Sequence, residues 1–251
     1  MHIGKLSYLR ELFVLLECRP NPPESHRNTI MSQVLEATPT VPSAKVKPKY
    51  RGVSHCIGAV CAIPATVLLY LHAAPGPLRV GSLMYGLSLI TLLGVSGMYH
   101  TPMWAKKARA KWRKVDHAAI YILMAGSYAP MLIAIDGHIW EHMYLVVAIG
   151  AGIGILKALF WDGVNRFLRA LPYLLLGWVA VLLMPAIYTH IGPEPLWLVL
   201  VEGFFYTSGA MVYARRKPNP NPRVFGYHEI FHLCVILASV CHYYVVWGLT
   251  A

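Results

Sequence analysis

Seven long apolar stretches run through the 251-residue chain, and each is close to the roughly 20 residues that a membrane-spanning helix needs. They cover residues 52–72, 80–100, 116–135, 141–160, 170–189, 196–213 and 227–248. They are apolar on all sides, whereas the strands of a transmembrane barrel alternate in polarity. Only 13% of the chain is charged, against roughly a quarter in a water-soluble domain. The sequence therefore predicts an all-α bundle of seven transmembrane helices.

The first 49 residues have a different composition, and we expect them to form a cytosolic tail before a seven-helix domain of residues 50–251. Residues 1–18 carry apolar side chains at helical spacing, interrupted by Lys5, Arg10 and Glu11. This pattern predicts a helix that lies on the membrane surface rather than one that crosses it. Residues 20–48 are rich in Pro, Ser and Thr, which is typical of a flexible linker.

Lysine and arginine are concentrated in alternate connections between the apolar stretches. Of these 22 residues, 21 lie before the first stretch or in and beside the connections after the second, fourth and sixth stretches, and only Arg79 lies elsewhere. By the positive-inside rule, this distribution predicts a cytosolic N-terminus and, with an odd number of spans, a C-terminus outside. Membrane topology thus explains the net charge of +11, so the lipid bilayer is an expected partner and nucleic acid is not. We expect an integral multi-pass protein of the cell membrane, with an internal membrane as the alternative.

Three of the stretches carry polar side chains at the ends that should face the cytosol. His100 ends the second stretch with Ser96 one turn deeper, Asp116 opens the third, and His228 and His232 open the seventh. An ionisable side chain at membrane depth is costly, so its presence indicates a functional site. The sequence therefore predicts that three helices bring these residues to one layer of the bundle.

The residue types in this layer suit a zinc site. Because His228 and His232 are four residues apart, they share one helix face, and His100 is the natural third ligand. Three histidines would leave a fourth zinc position for a water. Asp116 could orient that water or accept its proton, and Ser96 could hydrogen-bond the water or a substrate oxygen. Spacing alone leaves open the alternative that these are unrelated polar residues in one layer.

His55, Glu202 and His242 are further ionisable residues within the apolar stretches. His55, near the predicted cytosolic end of the first stretch, is a further candidate to line the site. Glu202 in the sixth stretch is expected to be either a hydrogen-bonded buried acid or a cavity-facing one, without an assigned role. His242 lies almost three turns beyond His232, too far to share its metal, and is expected to pack or to form hydrogen bonds.

Two parts of the sequence resemble the haemolysin III family, which belongs to the progestin and adipoQ receptor superfamily. Its second and third helices are similar to VSGMYHTPMWAKKARAKWRKVDHAAIYILMAGSYAPMLI, and its seventh helix is similar to GYHEIFHLCVILASVCHYYVV. The resemblance covers about residues 50–250. The sequence departs from the family pattern in the first helix. Family members carry an acidic residue and an asparagine before a Ser/Thr-His pair, and neither residue occurs directly upstream of Ser54 and His55.

This resemblance implies a zinc ion near the cytosolic face, held by the histidines that match the family's motifs. These are His100, His228 and His232, with Asp116 reaching the zinc through a water and Ser96 beside it. Members of the superfamily, the adiponectin receptors, and the similar alkaline ceramidases are associated with hydrolysis of lipid amides such as ceramide. The resemblance therefore implies a membrane lipid as substrate or ligand.

Two functions follow as hypotheses. The first is a zinc-dependent hydrolase of lipid amide or ester bonds. The alternative is a seven-helix receptor or signalling protein in which zinc is structural and ties the second and seventh helices together. A metalloprotease built on the HEIFH motif would need Glu229 as general base and a third ligand downstream, where only His242 on the same helix is available. We instead expect Glu229 to act as the N-terminal acid of its helix, and we see no charged lining typical of a pore-forming lysin.

Overall fold

A computed structural model describes residues 47–135, 138–161, 163 and 165–250. Within these residues the chain forms seven helical segments long and apolar enough to cross a membrane, and it forms no β-strand. The predicted all-α bundle of seven spans is thereby confirmed. The predicted surface helix of residues 1–18 and nearly all of the predicted linker lie outside the described residues.

Six of the seven spans are single helices. The first four are Val53–His72, Pro77–His100, Lys106–Ala134 and His138–Phe160, and the last two are Pro193–Arg215 and Tyr227–Leu249. The fifth span is composite and consists of Arg166–Trp178, a 3-10 segment Val179–Leu183, and Met184–Ile191.

The third span begins earlier than the hydropathy predicted. Its helix starts at Lys106, whereas the apolar stretch starts at Asp116. Lysine, arginine and alanine are strong helix formers, so the basic segment before Asp116 continues the helix beyond the apolar part. Asp116 therefore lies almost three turns inside the helix, and the expectation that it opens the third helix is wrong.

The fifth span departs from the single helix predicted over residues 170–189. Its α-helical hydrogen bonding is interrupted by the 3-10 segment, which ends just before Pro185. A proline has no backbone N–H to donate to the preceding turn, which accounts for the interruption at this point. The hydropathy pattern does not register such a change because it depends on composition alone.

Consecutive spans pack side by side, and contacts between the first and seventh spans close the bundle. Small residues allow the close approach that membrane helices use in place of hydrophobic burial. A Cβ added at Gly97 of the second span would lie 2.7 Å from the sulfur of Cys56 in the first. One buried cluster joins the first, second, third and seventh spans through Leu69, Tyr85, Leu123 and Val235. These four spans hold the polar layer described next.

Candidate metal centre

The structure brings three histidines from two spans together at one end of the bundle. This end carries the basic segments and is called the basic end below. His100 is the last residue of the second span, and His228 and His232 lie in the first two turns of the seventh. One ring nitrogen from each histidine lies within 4.8 Å of the others. The Nε2 atoms of His100 and His228 are 3.1 Å apart. These three residues are called the histidine triad below.

The start of the seventh span is fixed by Glu229, the acid between the two histidines. Its carboxylate accepts a hydrogen bond of 2.7 Å from the backbone N–H of Gly226, the residue directly before the helix. Its other oxygen forms an ion pair with Arg51, which precedes the first span. Because Glu229 is only 3% exposed and both of its oxygens are engaged, it acts as the helix N-terminal acid, as predicted.

The end of the second span is also held from outside the membrane-spanning part. The ammonium group of Lys47 donates hydrogen bonds of 2.6 and 3.2 Å to the carbonyl oxygens of Thr101 and Pro102, directly after His100. Partial burial lowers the pKa of Lys47 below its usual value, and the positive charges of Arg109 and Arg51 lower it further. These bonds attach Lys47 to the segment that directly follows the second span.

The positions of the triad's ring nitrogens suit metal coordination better than hydrogen bonding among the three histidines. His232 is 1% exposed, and its buried Nδ1 atom has no hydrogen-bond partner within the described part of the chain. Two nitrogens that bind one zinc ion at about 2.0–2.1 Å lie no more than about 4.2 Å apart. The separations within the triad reach 4.8 Å, so small side-chain rotations would bring all three nitrogens to one ion. The donor set fits a divalent transition metal such as zinc.

Asp116 lies beside the triad, and Ser96 lies next to Asp116. The Oδ2 atom of Asp116 is 3.9 Å from Nε2 of His100, which is too far for a hydrogen bond and close enough for a bridging water. Ser96 lies close enough to the Asp116 carboxylate to interact with it. Ser96 is 3% exposed and Asp116 is 8% exposed, so both are shielded from bulk solvent.

Comparison with known proteins assigns the chain to a family. The sequence profile described as haemolysin-III related matches residues 43–243, which is most of the chain. The chain belongs to the haemolysin-III-related family. The protein is accordingly a multi-pass integral membrane protein, in agreement with its seven apolar helices.

The relatives extend from bacteria to animals. Hemolysin-3 of Bacillus cereus is 30% identical over 201 residues, which cover 77% of this chain and 87% of the relative. The human monocyte to macrophage differentiation factor is 26% identical over 202 residues, or 77% of this chain and 80% of the relative. The adiponectin receptor protein of Drosophila melanogaster is 27% identical over 217 residues, and here the match covers 76% of this chain but only 48% of the relative. The resemblance to the progestin and adipoQ receptor superfamily is thus confirmed.

The first span contributes a fourth histidine to the basic end of this haemolysin-III-related protein. The ring of His55 stacks on that of His232, with centroids 3.8 Å apart and planes within 10°. Its Nε2 atom contacts the backbone carbonyl of His232 at 3.3 Å. His55 is therefore a supporting neighbour of the triad rather than one of the three clustered ligands.

Arg51 lies just before the first span, where the sequence departs from the family pattern. Its partner Glu229 belongs to the seventh span and lies 178 residues away along the chain. Sequence inspection missed this pair because no local pattern relates positions so far apart.

Glu202 has its partner in the bundle interior, away from the triad. Its carboxylate lies 2.9 Å from Nδ1 of His242, and Nε2 of His242 lies 3.2 Å from the carbonyl oxygen of Ser127. Of the two alternatives for Glu202, the structure therefore supports a hydrogen-bonded acid. The hydrogen-bonding role expected for His242 is confirmed, and the pair connects the third, sixth and seventh spans.

Proposed function

We propose that the protein is a zinc-dependent hydrolase of lipid amide or ester bonds. The observation that carries this proposal is the convergence of three histidines, a carboxylate and a hydroxyl in one largely buried layer at the basic end. A nucleophile, a proton acceptor and an electrophile are what hydrolysis of a carbonyl compound requires.

His100, His228 and His232 would hold the zinc ion. His100 and His228 are the last residue and the second residue of their helices, and both helix ends are fixed by the contacts of Lys47 and Glu229. Such support from neighbouring groups fixes the direction of metal ligands. A zinc ion bound there would supply Lewis acidity and lower the pKa of a bound water to about 7.

Asp116 would carry out the proton transfers, and Ser96 would support it. The Asp116 carboxylate, 3.9 Å from Nε2 of His100, would orient an attacking water and accept its proton. The Ser96 hydroxyl would hold that carboxylate in position by a hydrogen bond. The proton would then pass from Asp116 to the leaving amine or alcohol.

The substrate class follows from the location of the site. The triad lies at the ends of spans whose outer surfaces are apolar, so a molecule that reaches it laterally must share the membrane. A lipid with a carbonyl bond near the interfacial region meets this requirement, and the amide of a ceramide-like lipid is the first substrate to test.

The test measures fatty acid released from a ceramide-like lipid by the purified protein. We expect turnover by the wild-type protein and at least a hundredfold loss in Asp116→Asn, since positioned proton transfer contributes about 10²–10⁴-fold. Asp116→Asn should keep its zinc. His142→Ala, which removes an exposed histidine of the fourth span, is the matched control and should keep both zinc and turnover.

A structural metal in a receptor or signalling protein is the second candidate. One relative bears the name adiponectin receptor, and the triad joins the second and seventh spans, which a structural metal would lock together. In that case the zinc-loaded protein would turn over neither amide nor ester lipids, and chelation would unfold the bundle. That combination would contradict the hydrolase proposal and support the receptor alternative.

A further inference from the structure

A second polar site lies between the third, fourth and fifth spans at the basic end. It is a small cleft that opens to the surface on one side. Its aromatic lining includes Tyr121, Tyr173 and Trp161. The tyrosine rings lie 4.6 Å apart between centroids, and Tyr173 donates a hydrogen bond of 3.3 Å to the carbonyl oxygen of His117. The cleft is called the basic cleft below.

Four cationic side chains from three spans converge on the basic cleft. They are Arg113 and Lys114 of the third span, Lys157 of the fourth and Arg169 of the fifth. All four are half-buried, and no carboxylate occurs among the described residues that line the cleft. Like charges held around a partly desolvated cleft raise its positive potential, and an anion that enters lowers the electrostatic free energy.

The basic cleft would attract an anion through its surplus of positive charge, and this does not require cationic groups that lack other contacts. Arg113, Lys114 and Arg169 each have a polar or electrostatic contact of their own. An arginine guanidinium carries five donors in a planar fork, so it can bind a phosphate group while it keeps another contact. Two arginines on different helices can therefore approach one phosphate from two sides.

The basic cleft is separate from the histidine triad. Asp116 is the residue near His100, whereas His117, the next residue, lines the cleft. Successive residues on a helix differ in direction by about 100°. The third span thus presents its carboxylate on one side and the basic cleft on another. The cleft is independent of whether the triad hydrolyses lipids.

We propose that the basic cleft binds the phosphate group of an anionic ligand. The cationic side chains would contact the phosphate oxygens, and the tyrosine and tryptophan rings would contact the adjoining apolar part. A basic pocket between transmembrane helices is suited to an anionic lipid headgroup. Soluble phosphate shares the same chemistry, so the two sources are separated by experiment.

The test measures thermal unfolding of the full-length protein in zwitterionic lipid nanodiscs. One titration adds inorganic phosphate, and a second incorporates phosphatidylglycerol. Since charge-assisted bidentate contacts are stronger than neutral ones, we expect at least about tenfold weaker binding in Arg113→Gln/Arg169→Gln. Stabilisation by phosphate alone would identify a soluble ligand, and stabilisation by phosphatidylglycerol alone would identify a lipid headgroup. Either result supports the proposal if the Arg113→Gln/Arg169→Gln variant loses that stabilisation.

The matched control is Arg215→Gln/Arg216→Gln, which removes the same charge from exposed residues at the end of the sixth span. It should bind like the wild-type protein. An equal loss in this control, undiminished binding in the cleft variant, or no binding by the wild-type protein would each overturn the proposal. If the glutamine pair does not fold, Lys157→Gln replaces it and should weaken binding by a smaller factor.

Discussion

At the scale of single residues, the triad depends on side chains that bind no metal. Glu229 holds the first turn of the seventh span through Gly226 and Arg51, and Gly52 allows the start of the first span to lie against His100. Both residues act by placing a histidine rather than by chemistry of their own. Two substitutions test this account.

Glu229→Gln should keep the zinc content and any turnover of the wild-type protein but lower its stability. A hydrogen bond to a charged group contributes about 1.5–3 kcal/mol, and the glutamine loses the charge opposite Arg51. Thermal unfolding in detergent, together with the metal content, measures both effects. A Glu229→Gln protein that keeps its zinc and its stability but loses turnover would contradict this role. It would show that Glu229 is a general base, as the metalloprotease hypothesis requires.

Gly52→Ala should weaken metal binding as well as stability. Gly52 has a φ of +85°, and a Cβ there would lie 2.7 Å from the Cβ of His100. Gly76→Ala is a matched control because Gly76 also has a positive φ, +107°, but has nothing within 4 Å of an added Cβ. Both alanines should destabilise the fold by about 1–3 kcal/mol through backbone strain, whereas only Gly52→Ala should lower zinc affinity. Equal zinc affinity in the two variants would show that Gly52 does not position His100.

At the scale of elements, the helices are joined by polar contacts at two separate levels. The triad connects the second and seventh spans at the basic end, and Glu202 with His242 connects the third, sixth and seventh spans in the interior. Hydrogen bonds of this kind contribute to helix association where the hydrophobic effect does not. Metal binding should depend on the first level and not on the second.

Glu202→Leu should reduce stability and leave the zinc content unchanged. The leucine leaves Nδ1 of His242 without its partner, which should lower the unfolding free energy by about 1–2 kcal/mol. Glu202→Gln should lose less, because its amide can donate to Nδ1 while Nε2 still donates to the Ser127 carbonyl. Thermal unfolding and metal analysis of both variants check this order. Loss of zinc in a folded Glu202→Leu protein would show that the two levels are coupled.

At the scale of the whole molecule, the charge distribution predicts a cytosolic N-terminus and an external C-terminus. In a bacterial inner membrane, alkaline phosphatase fused after residue 251 should be active, whereas fusion in the basic segment at 217–221 should not be. The triad and the basic cleft would then both face the cytosol. The reverse pattern of activities would place both sites on the outer side.

Much of this architecture was readable in the sequence because hydropathy and helical spacing are local properties. Apolar stretches gave the number of spans, and the four-residue spacing of His228 and His232 gave two of the triad positions. The pair of Arg51 with Glu229 depends on tertiary packing over 178 residues, so no local pattern contained it. The early start of the third span was missed because a basic helix beyond the apolar part has no hydropathy signal.

We expect His100, His228 and His232 to hold one zinc ion, and metal analysis of the purified protein tests this expectation most directly. We predict about one zinc per wild-type chain and per His142→Ala chain, and a near-complete loss in folded His100→Ala/His232→Ala protein. A folded double variant that still holds one zinc per chain, or a zinc-supplied wild-type protein that holds none, would contradict this expectation.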